Sequence, residues 1–169
     1  MGIKPQPLSQ IKKELNLQDR DSLINLCLEL ARFKRDNKEM LSYLLFDRQD
    51  EESYISALQA HMDQNFDSIN TQSHYYIKKS VRKILRELRR FIRYSNRNET
   101  AVELLMHFCY RMTLIKPTIF ENRVLTNIFW RQIHLIEQKI EKLHEDLQHD
   151  YTLELEALIK PYANDHHIS

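Results

Sequence analysis

The chain has one glycine in 169 residues, Gly2, and none in the body that follows. No phosphate-cradling loop of the G-x-x-x-x-G-K-[ST] type can therefore be written, nor G-x-G-x-x-G, nor G-x-S-x-G. An EF-hand loop, which turns on glycine, is excluded as well. Sheet-rich folds lean on glycine at turns and bulges, so its absence argues for helices. Cysteine is almost as scarce. Cys27 and Cys109 lie in separate apolar stretches, too few for a disulfide framework or a metal site of their own, and read as small buried hydrophobes. No apolar run approaches the eighteen residues of a membrane span, and the first residues lack a hydrophobic signal region. Gln6 stands where the myristoylation pattern needs Ser or Thr. The expected address is a reducing cytoplasm, with no membrane partner.

What the chain does have is apolar residues at helical spacing, 42% of the total, and 29% charge. The expected fold is all-α, a compact multi-helix bundle or an orthogonal, solenoid-like array of about seven helices. A helical body over residues 1–117 contains a basic helix at 73–95. A long C-terminal helix over 118–160 packs on the body or on a second chain, and 161–169 is a tail. Asp19 or Asp21 opens the second helix, Asp36 to Glu39 the third and Asp50 the fourth. Asn98 caps the sixth, Pro117 stops it, and Thr118 to Glu121 has the spacing of a capping box for the seventh. The pair of helices at 21–46 resembles one solenoid hairpin, but no second copy appears at a period of 33 to 47 residues.

No glycine or proline interrupts the stretch from Ile119 to Ile159. As one straight helix it would span on the order of 60 Å, far beyond the radius of gyration of about 15 Å expected of a compact chain this long. Phe129, Ile133, Ile136, Ile140, Leu143 and Leu147 follow alternating steps of four and three, a heptad seam. Consecutive steps of four through Tyr151 and Leu155 then read as a stutter. The stripe either packs on the chain's own helices or forms a homodimer seam.

The net charge of +1 conceals a polarity. Residues 1–74 hold nine bases and twelve acids, residues 75–97 nine and one, and residues 98–169 seven and eleven. At about 100° per residue, Ile77, Val81, Ile84, Leu85, Leu88, Phe91 and Ile92 share one arc of the basic helix. Lys78, Lys79, Arg82, Lys83, Arg86, Arg89, Arg90, Arg93 and Arg97 fall in the opposite arc, diluted only by Glu87, with Tyr76 and Tyr94 on a flank as candidates for stacking. Six base pairs stand four residues apart, and their mutual repulsion costs roughly 1–3 kcal/mol in all. An anionic partner would offset it, and so would the chain's own acidic helices. Arginine outnumbers lysine six to three here, and its planar fork suits phosphate and carboxylate alike.

Other chemistry has little to stand on. Glu141 and His144 form the only Glu-x-x-His, where a carboxylate-bridged di-iron bundle needs two and further glutamates, so no metal and no cofactor are expected. Cys109 and His107 are two apart on a helix and point in different directions. The His166-His167 pair belongs to the tail. The chain therefore reads as a non-catalytic binding protein whose basic helix contacts an anionic partner, nucleic-acid backbone first and an acidic protein second. The alternative is a structural or assembly protein acting through its C-terminal helix, with the basic face paired internally.

Overall fold

The structure, a computed structural model, describes residues 4–166, with side chains as far as Asn164. Among the described residues there is no strand. Eight α-helices follow one another: α1 (Leu8–Leu15), α2 (Arg20–Phe33), α3 (Arg35–Ser42), α4 (Glu51–Asp67), α5 (His74–Ser95), α6 (Asn98–Thr113), α7 (Arg123–Ile140) and α8 (Glu145–Ile159). A π-helical turn at Tyr43–Asp47 and 3-10 turns at Ile119–Glu121 and Lys160–His166 complete the chain. The all-α expectation holds. The chain divides into two compact units, residues 1–45 and 46–169, so the division falls well before residue 117.

In the first unit α3 folds back on α2, and the Asn37 side-chain amide donates to the Leu30 carbonyl at 2.8 Å. Asp19 caps α2 as its sequence position suggests, accepting the Ser22 N–H at 2.8 Å. None of the three helices buries a residue.

The second unit is built around α6, which packs against α4, α5, α7 and α8. That role explains why its buried residues, from Thr100 to Met112, run round the helix rather than along one stripe. Phe66 of α4, Ile77, Val81 and Leu88 of α5, and Leu125 and Phe129 of α7 close the core around it. Glu51, at the start of α4, accepts from Thr100 Oγ1 at 2.6 Å and from the Ser95 hydroxyl, tying three helices at one end.

The C-terminal stretch departs from the expected single helix. Thr118 caps only the 3-10 turn, accepting the Phe120 N–H, and α7 starts later on Asn122. The extended Asn122 takes the N–H groups of Val124 and Leu125 at 3.2 and 3.3 Å. Asn122→Ala is therefore expected to cost about 1 kcal/mol of stability in denaturant unfolding, the usual worth of such a cap.

A second break separates α7 from α8. Lys142 and Leu143 bond back three residues, to Lys139 and Ile140, which tightens and ends the helix. His144 is extended, and its ring nitrogen accepts the Asp146 N–H. The Gln148 side chain then donates to the carbonyls of Glu141 and Leu143 at 3.1 and 2.8 Å, satisfying groups that the break would orphan. The long C-terminal helix is thus two helices, both packed on α6.

That packing also corrects the homodimer seam. Phe129, Ile133, Ile136 and Ile140 are at most 5% exposed and belong to the core of this chain, while Leu143 and Leu147, half-buried, flank the break. No stripe of six remains on α7 and α8 for a second copy.

Candidate functional site

The apolar arc of α5 is sunk into the second unit, with Ile77 and Val81 fully buried and Phe91 and Ile92 packed at the margin. A helix docked on one side must present the other. Lys79, Arg82, Lys83, Arg86, Arg89, Arg93 and Arg97 are exposed, and Lys78 and Arg90 are half-buried at the edges. Eight bases thus line one face of a 22-residue helix, about 30 Å at 1.5 Å per residue, and the ninth, Arg97, follows just past its end.

Three of the nine are engaged by the chain itself. Arg89 donates to the buried Gln132 at 3.2 Å. Arg90 sits 3.7 Å from Glu87 and over the Phe91 ring. Arg97 lies 3.9 Å from Glu51 and donates to the Arg48 carbonyl. Among the described residues, Lys78, Lys79, Arg82, Lys83, Arg86 and Arg93 form no ion pair. The acidic α8 does not reach across to them. Glu87, the one acid of the helix, is turned to the flank, where it meets His61 of α4 at 3.5 Å as well as Arg90. It leaves the basic face undiluted.

The tyrosines divide. Tyr76 is 44% exposed at the N-terminal end of the face. Tyr94, at 7%, is removed from the stacking candidates because its ring turns into the unit edge-on to Phe91, 6.0 Å between centroids. In its place stands Tyr75, 65% exposed and perpendicular to Tyr76 with centroids 5.3 Å apart. Its signal was available: at 100° per residue Tyr75 lies about 160° from Ile77, in the middle of the basic arc.

The remaining candidates are held in structural roles. The Cys109 thiol is fully buried, and burial raises it far above the ordinary thiol range, which leaves it inert. His107 bonds Asp63 of α4 at 2.6 Å, and Arg111 reaches both Asp63 and Asp67, an electrostatic clamp between α4 and α6. The Tyr151 hydroxyl donates to Glu103 at 2.8 Å; burial, and then this bond, push it above the usual phenol range. Glu141 and His144 occupy the turn before α8, and no group of three metal-ligating side chains occurs among the described residues. The side chains of the His166-His167 pair lie outside those described. No described helix is long and apolar enough to cross a membrane. No family model, curated protein or solved structure matches the chain.

Proposed function

We propose that the chain is a non-catalytic binding protein that holds a nucleic-acid backbone along the basic face of α5. One observation carries the reading: six exposed or half-exposed bases on one helix have no acid beside them among the described residues. Their three like-charge pairs at four-residue spacing, 78/82, 79/83 and 82/86, are a standing cost of roughly 0.5–1.5 kcal/mol that a row of phosphates would remove. Phosphate contacts position a backbone and do not read bases, so binding is largely independent of sequence. Tyr75 and Tyr76 add two aromatic rings at one end of the row, which favours unpaired bases over duplex.

Fluorescence anisotropy with a labelled single strand and the matching duplex, titrated across salt, tests this. With four to six phosphates neutralised, log K is expected to fall against log salt with a slope of about −3 to −5. Tyr75→Ala with Tyr76→Ala is expected to cost about 1–3 kcal/mol per stacked base on the single strand while leaving the slope unchanged. Absence of salt-sensitive binding to either probe at low ionic strength overturns the reading. Binding of a polyglutamate peptide under the same conditions, without nucleic acid, would assign the face to an acidic protein.

A further inference from the structure

The first unit lacks what the second has in abundance. Its helices contain eight, fourteen and eight residues and bury none of them. Tyr43 is the one buried hydrophobic among its described residues. Twelve large apolar side chains of residues 8–45 are exposed by 39% to 83%, among them Leu8, Leu17, Leu30, Phe33 and Leu45. Together they leave on the order of 1,300 Å² of apolar surface, spread over several sides of the helices, where a standard interface takes about 800 Å² from each partner.

Helices this short do not persist in water without an apolar face to pack. A unit of some forty residues needs a disulfide, a metal or a partner to hold it. Cys27 is its only cysteine, and no cluster of three metal-ligating side chains occurs among its described residues. Association remains.

We infer that residues 8–45 form a dimerisation unit whose apolar surface is covered by the same surface of a second copy of this chain. Area and charge both point to a copy. The exposed surface exceeds what each side of a stable dimer buries. A two-fold interface must be complementary to itself, and residues 4–45 interleave eight bases with six acids, a pattern that pairs with its own mate. A membrane-surface helix would instead carry a strongly basic polar face. On α2, Ile24, Leu26, Leu28 and Phe33 lie round the helix rather than on one stripe, the pattern of a helix enclosed on several sides. This surface and the basic face of α5 belong to different units, and neither proposal needs the other.

Light scattering and sedimentation of the full chain test it. The expected mass is twice 20.5 kDa. Leu30→Glu with Phe33→Glu is expected to halve that mass while the thermal transition of residues 46–166 persists. Wild-type protein supplies a second readout, because Cys27 is exposed and Cys109 is buried, so a maleimide reports Cys27 alone. Its labelling is expected to slow as protein concentration rises. A monomeric mass at high concentration overturns the inference, as does a dimer that survives the double variant. So do a monomer that sediments with anionic vesicles and a monomer whose Cys27 labels slowly at every concentration, the sign of cover by its own chain.

Discussion

Replacing Ile136 with lysine is expected to abolish cooperative unfolding of the second unit, or to lower its stability by about 4 kcal/mol or more. Ile136 is fully buried in α7 against the central α6. A lysine there places an unpaired ammonium in an apolar interior, one of the few single changes that reach this size. A domain of this length has roughly 5–15 kcal/mol in total. Leu143→Lys is the matching control. Leu143 follows Ile140 by three in the same heptad pattern, but it sits half-buried in the turn before α8. Its substitution is expected to cost no more than about 1.5 kcal/mol, because only part of the side chain's apolar area is withdrawn from water. Circular dichroism melts of the two variants read the difference. If both melted like the wild type and only their mass changed, the stripe would be an intermolecular seam after all.

The second large effect concerns affinity. Changing Lys79, Arg82, Arg86 and Arg93 to glutamine is expected to flatten the salt slope of nucleic-acid binding by about three to four, one for each phosphate no longer neutralised. At moderate salt that amounts to a loss of about a hundredfold or more. Arg89 is kept because its bond to the buried Gln132 is structural, and removing it would leave that amide without its donor. The four chosen side chains pair with no acid among the described residues, so the fold should not weaken. Relief of like-charge pairs at 82/86 and 86/90 is expected to raise the melting temperature slightly at low salt. A variant that loses several kcal/mol of stability would mean that the face is covered internally, and unchanged binding would move the site elsewhere.

The apolar arc of α5 and the caps of α2 and α4 were legible because each depends on residues within a turn or two of one another. Ile77, Val81, Ile84, Leu85 and Leu88 are spaced for one face, and Asp19 and Asp50 stand three residues before the serines whose N–H groups they accept. The break after Ile140 was not legible in the same way. No glycine or proline marks it, and the groups that make it stable are an extended His144 and a glutamine amide reaching back seven residues. The stutter at Leu147 and Tyr151 was the trace it left, and a pattern of apolar steps does not distinguish an unwound coil from a chain that turns. Tyr94 shows a related limit. Its flank position is compatible with either side, and only the arrival of Phe91 beside it decides which way the ring faces. The openness of the basic face likewise depended on where α8 lies, which is a property of packing.

Scarcity of glycine has a consequence for the behaviour of the chain in acid. Among the described residues only Asn96 adopts a positive φ, and four of the eight α-helices, α2, α4, α7 and α8, start on side chains that accept backbone N–H groups. At α2 and α4 those side chains are carboxylates. The Asp19 carboxyl is held below the ordinary value of 3.8 by the Ser22 N–H and hydroxyl, and that of Asp50 by the Ser53 hydroxyl and N–H. A carboxyl depressed in the folded chain adds stability above its unfolded pKa and loses it as pH falls through the folded one. The first turns of α2 and α4 therefore loosen below about pH 4, while α7, begun on the uncharged amide of Asn122, keeps its cap. A chain that turns without glycine has set carboxylates at the starts of α2 and α4 and left the start of α7 indifferent to protons.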